Sequence, residues 1–179
     1  MTEQAVALKG TALQPTRMER DHVAHLAGVF DVVGSVTAQL TKTEDTRIGF
    51  RFHPLIRINR PEDQEVLMGK LDAYCEDYDV DHSITKRSDS GSFVFEAKSP
   101  EGIRNFLMPM MDYLVVNHEE AIIMLEEILP RVEDDLHLTE DGLIEIMGYV
   151  DRLRETSRYG AEAKYTQSYF EDLWSAEEN

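Results

Sequence analysis

The sequence predicts an α+β protein in which helices cover one side of a small β-sheet. Between residues 17 and 107, the spacing of apolar residues changes in the order helix, strand, strand, helix, strand, strand, helix. Apolar and polar residues alternate from position 47 to 59, which is typical of a sheet buried on one side. Further helical patterns follow after residue 117. A chain of 179 residues is long enough to bury one core from these elements.

The chain divides into three predicted parts. Residues 1–16 have no clear periodicity, and we expect an N-terminal extension with little fixed structure. Residues 17–158 are expected to form the folded domain. Residues 159–179 combine acidic and aromatic side chains, so they are expected to form a tail or a short helix. This segment either docks on the domain or binds a protein partner through residues 163–179.

The composition, with 42% hydrophobic and 30% charged residues, is ordinary for a globular protein. No apolar run approaches the length of a membrane span, and the N-terminus lacks the residue order of a signal peptide. We therefore expect a cytoplasmic protein with no membrane partner. The single cysteine, Cys75, excludes an intramolecular disulfide and a multi-cysteine metal site. Cys75 lies on the apolar side of a helical pattern, so it is expected to be buried and inert.

The formal net charge is −17, and most of it comes from the C-terminal half. Residues 105–179 carry 18 acidic and 5 basic side chains, whereas residues 35–104 carry 13 acidic and 10 basic ones. The 12 arginines outnumber the 6 lysines. An acidic protein with little lysine suits a salt-adapted cytoplasm, which predicts a halophilic source. An acidic protein of a non-halophilic organism is the alternative.

The first helix is predicted from about Thr16 to Val33, because apolar residues recur there at helical spacing. It ends at Gly34. Ala27 and Gly28 leave one face nearly bare, so another helix could approach closely there. A strand follows from Ser35 to Lys42, with its apolar residues on one face and the polar ones on the other: Thr37, Gln39 and Thr41.

The clearest pattern in the sequence is a strand from Arg47 to Asn59. Its even positions are apolar, and its odd positions include three arginines and a histidine: Arg47, Arg51, His53 and Arg57. Pro54 indicates an edge position, a bulge or a bend. The basic face can be a solvated surface or a binding surface. We favour a binding surface, because this strand has no acidic residue on that face although the protein is acidic almost everywhere else.

The remaining elements are predicted from helix caps and turn residues. A helix begins after Pro61, and strands at 81–87 and 92–98 are joined by the turn Ser-Asp-Ser-Gly. Ser99 is expected to cap a third helix. Asn117 and Glu120 are expected to form a capping box for a helix that closes at Pro130. Thr139 is expected to cap a helix that extends to residue 158.

The segment Leu26-Ala27-Gly28-Val29-Phe30-Asp31-Val32-Val33-Gly34-Ser35 resembles the signature helix of the LAGLIDADG homing endonucleases. The match consists of Leu-Ala-Gly, two apolar residues, Asp, and Gly-Ser before a strand. The element order from residue 18 to 158 supports the resemblance, which is to the branch with one motif per chain. It implies an αββαββα core with a mixed or antiparallel four-stranded saddle-shaped sheet and additional C-terminal helices.

The sequence departs from the family at the position that matters most for chemistry. The family has an Asp or Glu before the closing glycine, which holds a divalent metal at the DNA, and this chain has Val33. Valine offers no oxygen to magnesium. The resemblance implies a structural role for Asp31. It also places active-site polar groups near Arg60 and Gln64, and a lysine where this chain has Val115. Val32 replaces a small residue at which paired helices nearly touch.

The resemblance therefore implies a catalytically inactive protein that binds double-stranded DNA as a homodimer, regulatory or chromosome-associated, in the nucleoid. Arginine can pair with guanine or phosphate, and glutamine with adenine. The expected DNA-binding residues are Gln39, Thr41, Lys42, Arg47, Arg51, His53, Arg57, Arg60, Thr85, Lys86 and Arg87. The expected dimer interface consists of His25, Ala27, Gly28, Val29 and Val32. No cofactor or metal is expected.

Two alternatives stay open. The first is an active site-specific endonuclease that uses magnesium through a displaced carboxylate such as Asp31. The second is a protein-interaction module that uses the acidic helices and the aromatic tail. Other chemistries have less support, because the six histidines lack metal-ligand spacing and no phosphate-binding glycine motif occurs.

Overall fold

The computed structural model describes residues 17–157 and 163–176. The predicted extension at 1–16 and the predicted helix end at Arg158 lie outside these residues. Four strands form one sheet in the order β1-β2-β4-β3, and all three neighbouring pairs are antiparallel. The strands are β1 (Gly34–Lys42), β2 (Phe50–Arg60), β3 (Ser83–Lys86) and β4 (Phe93–Ala97). The predicted α+β class with a four-stranded sheet is confirmed.

The strand β2 is shorter than predicted. It begins at Phe50 rather than at Arg47, because residues 43–49 form the loop from β1, in which Gly49 adopts a φ of +76° that favours glycine. Pro54 pairs with Ala38 of β1 but lies before the segment of β2 that pairs with β4, which starts at Ile56. Pro54 therefore occupies a position with one strand neighbour, where a missing N–H leaves no β4 carbonyl unpaired.

The helices of the described chain begin at or near the predicted positions. Ser99 and Thr139 cap their helices as predicted, since their hydroxyls accept hydrogen bonds from the N–H groups of Gly102 (3.1 Å) and Gly142 (3.2 Å). No helix in the described ranges is long and apolar enough to cross a membrane. The helices are α1 (Arg17–Val33), α2 (Glu65–Asp77), α3 (Pro100–Leu107), α4 (His118–Ile122), α5 (Leu129–Glu133), α6 (Glu140–Thr156) and α7 (Gln167–Ser175).

Pro130 does not close a helix, contrary to the prediction. The segment Ile123–Ile128 forms a π-helical turn between α4 and α5, and α5 continues through Pro130 to Glu133. A proline has no N–H to offer to the preceding turn, and the wider π turn accommodates this gap.

The core lies between the helices and one face of the sheet, to which β1, β2 and β3 contribute even-numbered residues and β4 contributes odd-numbered ones. Phe30 of α1 packs edge-on against Phe106 of α3, with ring centroids 5.3 Å apart. Phe106 in turn contacts Tyr74 of α2 and Phe95 of β4. Cys75 is buried as predicted, and burial raises the pKa of its thiol to about 12, so the thiol is protonated and unreactive at neutral pH.

The helix α7 docks on the same core. Its Phe170 is fully buried, and the ring of Phe50 lies 4.9 Å from that of Phe170 and 5.5 Å from that of Tyr165. Trp174 stacks on Phe170 with a centroid distance of 5.0 Å. The apolar surface of this segment is therefore already buried against the domain, as in the docking alternative. A role in partner binding stays a prediction.

The junction of α1 and β1 depends on Gly34. A Cβ at this position would lie 2.0 Å from Cδ2 and 2.2 Å from Cε2 of the Phe30 ring. Phe30 is fully buried, so its ring has little room to move. The close packing of the Phe30 ring against the backbone of Gly34 fixes the direction in which the chain leaves α1.

Gly34→Ala is expected to lower the free energy of unfolding by about 2–3 kcal/mol, because the ring of Phe30 has to shift in a packed core. Gly69→Ala is a matched control on α2, since a Cβ at Gly69 meets no atom within 4 Å. This control should stay within about 1 kcal/mol of wild type. Urea denaturation of both variants measures the effect, and equal stability of the two would contradict the packing argument.

Candidate functional site

The face of the sheet away from the helices is open and polar. The register places the odd-numbered residues of β1 and β2 side by side on this face, for example Gln39 opposite His53 and Thr41 opposite Arg51. On β4 and β3, Glu96 lies opposite Arg57 and Ser83, and Thr85 lies opposite Val94. We call this surface the open face. Its side chains are Ser35, Thr37, Gln39, Thr41, Arg51, His53, Arg57, Asn59, Ser83, Thr85, Val94 and Glu96, with Arg87 and Lys98 directly after β3 and β4. Leu55 lies on the same side of β2 but is buried.

Seven of the eleven predicted DNA-binding residues belong to the open face. They are brought together from three strands and the β3–β4 turn, although up to 48 positions separate them in sequence. These residues are Gln39, Thr41, Arg51, His53, Arg57, Thr85 and Arg87.

The other four predicted residues lie elsewhere, and two of them lie in β1 and β3. Lys42 pairs with Phe50 at the covered side of the sheet. Lys86 pairs with Phe93, lies 5.5 Å from the centre of that ring and forms an ion pair with Glu62. Because side chains alternate along a strand, the even positions of Lys42 and Lys86 point them away from the open face.

Arg47 was predicted to lie on the open face, and this prediction is wrong. It lies in the loop before β2 and lines a cavity of about 290 Å³ with Leu138, in the turn before α6, and with Glu140 and Asp141 at the start of α6. The predicted alternation fails here because the strand has not yet begun. Arg60, the remaining residue, lies at the end of β2 beside Val33, and its Nε donates to Oε1 of Gln64 at 2.7 Å.

The open face carries an acid that the sequence argument missed. Oε1 of Glu96 accepts a hydrogen bond from Nε of Arg57 at 2.8 Å and also pairs with its Nη2. Oε2 of Glu96 lies 2.7 Å from Nζ of Lys98. The two-residue spacing of Glu96 and Lys98 is visible in the sequence, but their position next to Arg57 depends on strand pairing.

Two pKa shifts describe the electrostatics of this face. Burial lowers the pKa of His53, and the charges of Arg51 and Lys98 lower it further, so the ring is neutral at pH 7 and above. Burial alone would raise the pKa of Glu96, but hydrogen bonds from Lys98 and Arg57 outweigh it and the pKa is lowered. Glu96 is therefore a carboxylate throughout the neutral range.

The carboxylate of Asp31 has the structural role that the resemblance implied. Its Oδ2 accepts from the N–H of Val115 at 2.8 Å, and its Oδ1 accepts from the N–H groups of Val116 (3.1 Å) and Asn117 (2.9 Å). These N–H groups lead into α4, where a negative charge is favourable. Both oxygens of this buried side chain are thus engaged within the protein.

Asn117 does not form the predicted capping box. Its side-chain Nδ2 instead donates to the carbonyl of Phe30 at 2.8 Å, near the end of α1. Asp31 of α1 therefore supplies a hydrogen-bond acceptor to the start of α4, and Asn117 supplies a donor to the end of α1. The tertiary contact replaces the local one.

The residues at the end of α1 do not fit a divalent metal. Val33 stands where the family carries its metal ligand, and the Asp31 oxygens are bound to backbone N–H groups. In the described ranges, no three His, Cys, Asp or Glu side chains lie close enough to hold a metal ion. Val115 is 82% exposed and offers no cation. A magnesium ion would meet the cation Arg60 and the single amide oxygen of Gln64, which already accepts from Arg60, rather than oxygen ligands in octahedral array.

A groove of 480 Å³ runs along the outer face of α1. Val32 is 63% exposed in this groove, and nothing lies within 4 Å of a Cβ built on Gly28. The groove is mostly apolar, and its lining residues are Ala24, His25, Gly28, Val29, Val32, Val33, Arg60, Gln64 and Leu67.

Four of the five predicted interface residues line this groove, but Ala27 does not. Ala27 is fully buried in the core together with Val23, Leu26 and Phe30. The small residue that faces outward one turn before Gly28 is Ala24, because residues four apart share a helix face. The prediction of Ala27 as an interface residue is therefore wrong, because Ala27 is next to Gly28 in sequence but not on the same face of the helix.

The fold was compared with known proteins. No protein-family model matches the sequence, and no curated protein matches it. Among solved structures, the homing endonuclease I-CvuI, in complex with the I-CreI target, aligns with a TM-score of 0.77 at 17% identity, over 92% of this chain and 99% of that chain. The archaeal intron-encoded homing endonuclease I-Vdi141I, complexed with DNA, aligns with a TM-score of 0.71 at 19% identity, over 88% and 99%.

A third structure differs in length. The LAGLIDADG homing endonuclease I-LtrWI, bound to target DNA, aligns with a TM-score of 0.66 at 16% identity, over 80% of this chain but 47% of that chain. The chain has the fold of the LAGLIDADG homing endonucleases. The predicted resemblance in fold is confirmed.

Proposed function

We propose that this chain is a double-stranded DNA-binding protein that has kept the LAGLIDADG fold and lost metal-dependent cleavage. The observation that carries the proposal is the combination of a polar open face with Val33 in the position of the metal ligand. Similar folds are complexed with DNA in the I-CvuI and I-Vdi141I structures. A role as a regulator or chromosome-associated factor in the nucleoid belongs to the same proposal.

The open face offers groups suited to base edges in a major groove. Gln39 and Asn59 are exposed amides, and Arg51 keeps guanidinium donors beyond the one that contacts Asp45. Amides pair with adenine, and arginine pairs with guanine. A sheet of this size presents them in a regular array, spaced by the strand geometry rather than by a flexible loop.

The proposed working unit is a homodimer in which the α1 grooves of two copies face each other. The fold occurs both in chains of similar length and in chains, such as I-LtrWI, of which this chain spans about half. A longer chain has room for two such units, and a single-unit chain needs a second copy to match it. The groove suits a copy of itself, because it is apolar, lies next to the open face through Arg60, and has small residues four apart at Ala24 and Gly28.

The test is a selection of random duplexes by the purified protein at high salt with magnesium present, scored for enrichment and for cleavage. We expect an enriched, uncut pseudo-palindrome, because a two-fold dimer reads two inverted half-sites. Magnesium-dependent cut products would overturn the loss of cleavage. No enrichment would overturn DNA binding and favour a protein-interaction module.

Arg57→Ala is expected to weaken binding to the selected duplex roughly 10- to 100-fold, the effect of one base-reading arginine. Arg104→Ala is a matched control, because Arg104 is paired with Glu133 on the helical side, at 2.9 Å, away from the open face. Fluorescence anisotropy with a labelled duplex measures both variants. Equal affinities for the two variants would contradict a role of the open face.

A further inference from the structure

The cations of the open face are all held by acids of the same protein. Arg57 and Lys98 share Glu96, Nη2 of Arg51 lies 3.1 Å from Oδ2 of Asp45, and Nε of Arg87 lies 3.4 Å from Oδ1 of Asp89. His53 is neutral at pH 7, as described above. The four cations and three acids therefore give this face a net charge of about +1, although four basic side chains project from it.

Glu96 differs from the other two acids in its position. The side chain of Glu96 is 15% exposed, whereas those of Asp45 and Asp89 are 73% and 66% exposed in loops at the rim. Glu96 lies on β4 between Arg57 of β2 and Ser83 of β3, so it occupies the middle of the sheet. An acid in the middle of a surface that approaches DNA repels every phosphate that comes near it.

We propose that Glu96 is a specificity-determining residue, an internal counter-ion that neutralises the open face and aims the guanidinium of Arg57. The inference rests on the proposed DNA-binding function. With Glu96 in place, approach to an arbitrary duplex gains little from phosphate attraction, and binding depends on base-edge contacts. Because the counter-ions belong to the protein, few solvent ions are exchanged on binding, so the affinity responds weakly to salt.

This role makes a prediction about DNA binding at high salt. Affinity that comes from phosphate contacts falls steeply as salt rises, by a factor that grows with the number of phosphates neutralised. Hydrogen bonds to base edges carry no such dependence. A guanidinium already fixed on one side by Glu96 loses less rotational freedom when it meets a base.

Glu96→Gln tests this role, because glutamine keeps an oxygen acceptor for Nε of Arg57 and removes only the charge. Relative to wild type, the variant should bind random duplex more tightly at low salt, with a slope of log affinity against log salt steeper by about one. Between 0.1 and 1 M salt, the random-duplex affinity should then fall by roughly eightfold more than that of wild type. The ratio of selected-site to random affinity should decrease.

Glu133→Gln is the control, because it removes an acid paired with an arginine on the helical side. Asp45→Asn is a second variant at an exposed loop position, and it should act in the same direction as Glu96→Gln with a smaller effect. The same salt slope and specificity ratio in Glu96→Gln, Asp45→Asn and wild type would overturn the role of internal counter-ion. If wild type binds no duplex at any salt, the proposed function fails as well, so the two failures are distinct.

Discussion

Val32→Arg is expected to dissociate the proposed homodimer into monomers and to weaken duplex binding by more than about 100-fold. Val32 is 63% exposed in the α1 groove. Apart from His25, the residues of α1 that line this groove are apolar or glycine. In an isologous interface the same residue comes from both copies, so two arginines would meet near the two-fold axis. Like charges brought together in an interface cost several kcal/mol, and each 1.4 kcal/mol is a factor of about ten in affinity.

The molecular mass in solution, from light scattering across a concentration series, measures this effect directly. Leu138→Arg is a control, because Leu138 is 45% exposed but lies in the turn before α6, far from the groove in the fold. The control should keep the mass of wild type. A Val32→Arg variant that stays dimeric would show that the two copies associate through another surface, and a wild-type monomer would overturn the dimer altogether.

Asp31→Ala is expected to lower the free energy of unfolding by about 3–5 kcal/mol, the largest stability effect among the variants considered. The substitution removes the carboxylate that accepts hydrogen bonds from three backbone N–H groups. These N–H groups then lose their acceptor at a buried position, which is costly. It also takes a negative charge from the start of α4. Losses of this size are unusual for one side chain and come from a buried network of this kind.

Denaturant unfolding of Asp31→Ala should be compared with Asp112→Ala, an exposed acid a few residues before the same turn. The control should change stability by less than about 0.5 kcal/mol. Asp31→Asn should fall between them, because an amide retains one oxygen acceptor. If Asp31→Ala were as stable as the control, Asp31 would be free for another role, including the metal-dependent cleavage left open by the sequence.

Several features follow from the sequence because their causes are local. The helix α1 and the strand β2 were predicted from spacing alone, since a period of 3.6 or 2 determines which residues share a face. Ser99 and Thr139 were correctly predicted as caps because a hydroxyl reaches an N–H three residues ahead. The exposed arginines Arg51 and Arg57 were found in the same way, from their odd positions in an alternating strand.

The errors arose where a distant partner replaced a local one or where the face of an element was assigned wrongly. Asn117 was expected to cap its own helix, but its amide reaches Phe30, 87 positions earlier. Lys42 and Arg47 were assigned to the open face from their charge, although one has an even strand position and the other precedes the strand. Ala27 was paired with Gly28 although the rotation of α1 about its axis turns it into the core.

The sequence by itself determined most of the helices and strands, the one-sided burial of the sheet and the presence of a valine at position 33. Only the tertiary structure decided that Glu96 neutralises Arg57, that Asp31 is fully occupied by α4, and that Ala24 rather than Ala27 faces outward. The physical reason is that strand register and helix rotation are set by the packing of the whole core, in which residues far apart in sequence compete for the same neighbours.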